Sequence, residues 1–198
     1  MTRRPPVVYV DVEFTTLDPL ARRPWEIAII RDDHTQVTEH VYLISDVDLT
    51  NADPRSLDVG RFGHRHPRAN PAACLANARY CVEAEAAPEI RRLTSGAQWV
   101  GIVPHEDANT IAAMLRRHRL TPAWHYQLID AAIYAAGALG WFPPMETWEA
   151  SEAIGIGPDA YRIHQALDDA RWSRDLLTSS QAARRRTPAA VDRPEAGI

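Results

Sequence analysis

Hydrophobic and polar positions alternate most sharply near the start of the chain, across Val7-Val8-Tyr9-Val10-Asp11-Val12-Glu13-Phe14. β-Branched and aromatic residues dominate this run, which predicts a strand. Val8, Val10, Val12 and Phe14 then cover one face, and Val7, Tyr9, Asp11 and Glu13 the other. Two carboxylates therefore stand side by side on a half-buried strand. Such a pair repels itself and resists desolvation unless a cation lies between the acids, or unless the strand is an edge whose acids face water.

Thr15-Thr16-Leu17-Asp18-Pro19 reads as a turn, and Arg22-Arg23-Pro24 delays the next element. Trp25 to Ile30, apolar apart from Glu26, predicts a second strand, joined through Asp32-Asp33-His34 to a third over Gln36 to Ile44 as a hairpin. Ser45 to Pro71 is rich in Asp, Arg, Gly and Pro and is expected to be mostly irregular, with room for a short helix. Asn70-Pro71 resembles an N-cap followed by proline, opening an Ala-rich helix to about Ala87. Pro88 then opens a short helix over Glu89 to Thr94, closed by Ser95-Gly96.

Further along, Gln98 to Val103 and Trp124 to Ile129 predict strands, and Asn109 to His118 a helix with Ile111, Met114 and Leu115 on one side. Asp130 caps a helix from Ala131 to Leu139. Glu146 to Ile154 is a short helix between breaks at Pro143-Pro144 and Gly155-Ile156-Gly157-Pro158, and a last helix covers Gln165 to Leu177. From Thr178 the pattern is lost, which predicts a domain over 1–178 and a disordered tail over 179–198, where Arg184-Arg185-Arg186 carries weak affinity for phosphate. Three early strands followed by alternating helices and strands point to an α/β sandwich on a mixed sheet.

A formal net charge of -4 excludes tight binding of long duplex DNA through the overall field, so any contact with nucleic acid must be local. The two cysteines, Cys74 and Cys81, would lie about 10 Å apart along one helix, too far to bridge. That spacing implies a reducing compartment, and no apolar run approaches the ~20 residues of a membrane span, so the chain is read as cytoplasmic. His64 and His66 with these cysteines fit no common zinc spacing.

The last helix adds a third acid. Wound at about 100° per residue, it gathers Ala166, Ala170, Ser173, Leu176 and Leu177 on an inward arc that also holds Asp169, while Asp168 falls beside Arg171 and Asp175. An inward acid without a cation asks for a metal. A fourth candidate lies in Val103-Pro104-His105-Glu106-Asp107-Ala108-Asn109, between a strand and a helix, where Asp107 is either functional or, like Asn109, a plain N-cap.

Asp11-Val12-Glu13-Phe14-Thr15-Thr16-Leu17-Asp18-Pro19 resembles the first motif of the DEDD (DnaQ-like) 3′–5′ exonucleases, and His164-Gln165-Ala166-Leu167-Asp168-Asp169-Ala170 resembles the third motif of their histidine (DEDDh) subclass. That motif, a His, four residues and an Asp, selects Asp169 over Asp168, as the helical wheel does. Trp25-Glu26-Ile27-Ala28-Ile29 is similar to the second strand of the family. The middle motif departs from the pattern: the usual Asn and Phe-Asp are missing, and His105-Glu106 precedes Asp107, leaving Glu106 as its competitor.

The resemblance implies a ribonuclease H-like fold, with a mixed central sheet flanked by helices. It also implies a metal-dependent 3′–5′ exonuclease that releases nucleoside 5′-monophosphates from single-stranded RNA or DNA ends or short oligonucleotides. Asp11, Glu13, Asp107 and Asp169 would hold two Mg²⁺ or Mn²⁺ ions. His164 would serve as general base. Phe14 and Thr15 would line the pocket of the terminal nucleotide, with Gly60-Arg61-Phe62 as a further partner for the 3′ end. Homodimerisation is common in the resembling family, though no seam here marks it. Two other readings are a catalytically impaired member acting as a nucleic-acid-binding or interaction module, and a phosphohydrolase on the same scaffold acting on small phosphate esters. Trp124-His125-Tyr126 is either a base-stacking platform or part of the core.

Overall fold

The computed structural model describes residues 4–73, 77–142 and 145–186. Six strands form one mixed sheet: β1 (Val7–Phe14), β2 (Pro24–Asp32), β3 (Val37–Ile44), β4 (Ala78–Cys81), β5 (Gln98–Gly101) and β6 (Ile129–Asp130), in the order β4-β3-β2-β1-β5-β6. The first three form an antiparallel meander, with Asp11 opposite Ala28 and Glu13 opposite Glu26, while β4, β5 and β6 join parallel to their neighbours.

Each face of the sheet carries its own core, divided as the alternation in β1 requires. Val8, Val10 and Val12 pack with Trp25, Ile27 and Ile29 under helices α3 (Glu83–Thr94) and α4 (Pro104–Arg117). On the other face Tyr9, Ala28 and Ile30 pack with Ala131, Ala135, Ala166, Ala170 and Leu176, which belong to α5 (Ala131–Leu139) and α7 (Ala166–Arg186). The short helices α1 (Pro54–Val59) and α2 (Phe62–Arg65) lie in the connection after β3, and α6 (Thr147–Ala153) precedes α7. Alanine faces let α5 and α7 approach the sheet closely.

The hairpin, the Asp130 cap and the short helix before α7 match expectation; the Asp130 carboxylate accepts from the N–H groups of Ala132 and Ile133 at 2.9 and 3.0 Å. Four expectations are corrected. The Ala-rich stretch is not one helix to Ala87, because Ala78–Cys81 pairs in parallel with Val41–Ile44 as β4. Pro88 lies inside α3, which begins at Glu83. Trp124 to Ile129 is mostly loop, with strand only at Ile129–Asp130. The last helix continues past Leu177 to Arg186, held where Ser180 is buried and its hydroxyl donates to the Leu176 carbonyl at 2.6 Å. The expected tail beyond 186, the two prolines at 143 and 144, and Cys74 lie outside the described residues. Cys81 is a free, buried thiol on β4. Among the described residues no helix is long and apolar enough to cross a membrane.

Candidate active site

Three elements deliver acids to the end of β1. Asp11 and Glu13 stand on the face covered by α7, where Asp169 occupies the inward arc together with Ala166, Ala170 and Ser173. Asp107 arrives from the other side, in the first turn of α4. That turn is drawn in by a tight exit from β5, with Val103 left-handed at φ 50° and Gly101 against β1. A Cβ on Gly101 would lie 3.0 Å from the Val10 carbonyl oxygen, so a side chain there would push the strands apart. Asp11, Glu13, Asp107, His164 and Asp169 all border one open cavity of about 590 Å³.

Ligating atoms of Glu13, His164 and Asp169 lie within 4.8 Å of one another. Asp169 Oδ2 accepts the main-chain N–H of His164 at 2.8 Å, while Oδ1 is buried and has no hydrogen-bond partner. An orphaned carboxylate oxygen beside further acids fits a divalent cation better than a structural role. Burial raises the Asp11 carboxyl well above the usual carboxylate range, and the charges of Asp107, Asp169 and Glu13 push it further. Asp107 is raised in the same way by burial and by Glu13, against an N–H from Val12. Glu13 and Asp169 are each pushed up to about 7, mainly by desolvation. A bound cation would relieve this burial and mutual repulsion of the four carboxyls. Burial also lowers the His164 imidazole, keeping it neutral near pH 7.

Glu106 and Asp107 part company. Arg22 is buried and hydrogen-bonded to the Glu106 carboxylate, which holds that acid below its usual range. The same guanidinium donates to the carbonyls of Thr16 and Leu17 at 3.2 and 2.6 Å and lies 4.3 Å from the Phe14 ring centroid. Arg22 thus ties the turn after β1 to α4 and leaves Asp107 as the acid facing Asp11 and Glu13.

Phe14 borders the cavity. Thr15 is buried beneath it: its Oγ1 accepts the Arg23 N–H at 3.1 Å, and its carbonyl accepts from Asp53 at 2.8 Å. Gly60 touches the site from below, since a Cβ there would meet Glu13 Oε2 at 2.6 Å and the Trp25 ring at 2.7 Å. Phe62 is core, stacked on His66 at 4.5 Å. His66 is spent on the Ile44 carbonyl at 3.1 Å and His64 is exposed, so the two histidines share no metal site. Trp124 packs on Trp99 at 4.7 Å, while His125 and the exposed Tyr126 stack on each other away from the cavity. Sequence reasoning passed over Arg22, Arg65 and the apolar rim of Leu17, Val59 and Val103. The signal for a buried arginine was Glu26, an acid in an otherwise apolar strand.

No protein-family model matches the chain, and no curated protein sequence does. Solved structures do. A zinc-bound complex of Escherichia coli exonuclease I with single-stranded DNA superposes with a TM-score of 0.67 at 20% identity, over 92% of this chain and 41% of that one. A product-bound exonuclease I gives 0.65 at 19% identity, over 90% of this chain and 44% of that one. The chain thus spans less than half the length of these structures. At this identity the likeness speaks to architecture, and the chain has the ribonuclease H-like α/β fold that it shares with exonuclease I.

Proposed function

We propose that the chain is a metal-dependent 3′–5′ exonuclease of the DEDD superfamily, histidine subclass, acting on single-stranded ends or short oligonucleotides. The observation that carries this reading is the Asp169 carboxylate, clustered with Glu13 and His164 and keeping one oxygen buried and unpartnered. The fold shared with exonuclease I, which binds single-stranded DNA, supports it.

Asp11, Glu13, Asp107 and Asp169 would hold two Mg²⁺ or Mn²⁺ ions, since all four donors are hard carboxylates. When bound, such ions supply a more acidic water and neutralise charge on the phosphate and on the leaving 3′ oxygen. His164, neutral near pH 7, accepts a proton from the attacking water. Phe14, Leu17, Val59 and Val103 offer an apolar wall to the terminal base. Arg22, through the Thr16 and Leu17 carbonyls, keeps that wall in register with Asp107. A labelled single-stranded RNA or DNA incubated with Mg²⁺ or Mn²⁺ tests the reading: stepwise shortening from the 3′ end, with release of 5′-monophosphates, is expected.

A further inference from the structure

His164 stands in a left-handed backbone conformation, φ 62°, which is uncommon for residues with a side chain, although His adopts it more readily than most. Both main-chain groups of His164, just before α7, are held: its N–H goes to Asp169 Oδ2 at 2.8 Å, and its carbonyl accepts from Arg65 Nη1 at 2.9 Å.

Arg65 and Glu26 are one unit. Arg65 Nη2 lies 2.6 and 2.5 Å from the two oxygens of Glu26, and both side chains are almost fully buried. Nη1 also donates to the Gly60 carbonyl at 3.0 Å, and Gly60 is the residue packed against Glu13. Glu26 is in turn the cross-strand partner of Glu13. A single guanidinium thus joins the turn that carries His164, the backbone that supports Glu13, and the strand beside it. Burying an ion pair is a poor route to stability. A planar fork that reaches two carbonyls and a carboxylate at once is a good route to geometry.

We propose that Arg65, backed by Glu26, is a positioning residue that fixes the His164 backbone and the Gly60 support of Glu13, and so sets the distance between the general base and the metal-binding acids. This rests on the exonuclease reading for its kinetic consequence but not for its structural one. Arg65 does not border the cavity, so its loss should spare substrate binding.

Two variants of the full chain test it. Arg65→Lys keeps a charge for Glu26 but cannot span both carbonyls. The pair Glu26→Leu with Arg65→Met removes both charges together and leaves neither buried alone. Each is expected to fold, to lose about 10²-fold in kcat on a labelled oligonucleotide, and to keep KM within about threefold. Amide exchange at His164 should quicken about tenfold while β1 and β2 amides keep their protection. A folded double variant with kcat within about twofold of wild type overturns the proposal. So does one that fails to fold or loses protection uniformly, because the pair is then a stability element. If the wild type itself degrades nothing, the exonuclease reading fails, and amide exchange alone decides whether the clamp exists.

Discussion

Asp169 accepts the main-chain N–H of His164 with one carboxylate oxygen, at 2.8 Å, and leaves the other buried and unpartnered. One bond fixes the carboxylate in the cavity wall; the free oxygen is what a cation would take. Asp168, one residue away, is tied to Arg171 at 3.1 Å and points out of the site. Asp169→Asn should therefore abolish nuclease activity, by at least about 10³-fold, while Asp168→Asn should stay within about threefold of wild type. Single-turnover rates on one oligonucleotide would separate them, and equal losses would mean that the helix presents a different face.

Glu106 and Asp107 give a similar contrast. Asp107→Asn removes a buried acid beside Asp11 and Glu13, and should weaken Mn²⁺ binding measured by calorimetry. Glu106→Gln takes the charge partner from a buried Arg22, though the amide still offers it an oxygen, and is expected to cost about 1–3 kcal/mol of stability. It should leave Mn²⁺ affinity close to that of wild type. Loss of metal affinity in Glu106→Gln alone would reverse the assignment.

The acid nest sets the pH dependence of the metal-free protein. Glu13 and Asp169 titrate at about 7 when folded, whereas unfolded carboxylates titrate near 4. The folded state therefore binds more protons in that window, and their contribution to stability is full below pH ~4 and lost as pH rises through about 7. His66, pushed down to about 4 by burial, contributes a slope of opposite sign between about 4 and 6.5. The informative quantity is thus a difference. The melting temperature of Asp169→Asn minus that of wild type, measured in EDTA, should grow from pH 5 to pH 8. A constant difference would mean that Asp169 titrates normally.

Gly60 bears on both the site and the core. A methyl group there would overlap Glu13 Oε2 and the Trp25 ring, and backbone adjustment is limited because the Gly60 carbonyl is held by Arg65. Gly60→Ala should cost about 1–3 kcal/mol in urea unfolding and lower kcat about 10²-fold by displacing Glu13. Stability loss with full activity would show that Glu13 has room to move.

The parts of this arrangement that were legible in the sequence are those governed by local periodicity. Alternation placed Asp11 with Glu13, and the helical wheel separated Asp169 from Asp168. The strand β4 was hidden because Ala78, Arg79, Tyr80 and Cys81 show no alternation, and their strand state depends on pairing with distant Val41–Ile44. The end of α7 was hidden because Thr178-Ser179-Ser180 reads as a breaker, whereas Ser180 is buried and satisfies its hydroxyl on its own helix. Glu26 announced the need for a buried cation, but only the fold could show that Arg65, in a segment read as irregular, supplies it.

The acids around β1 are proposed to form a metal-dependent nuclease centre. A 5′-labelled single-stranded oligonucleotide, offered as RNA and as DNA with Mg²⁺ or Mn²⁺, tests it most directly. A ladder shortening from the 3′ end, abolished by EDTA and by Asp11→Ala, is expected. A wild-type protein that leaves both substrates intact in the presence of metal, or whose cleavage survives Asp11→Ala, would contradict it.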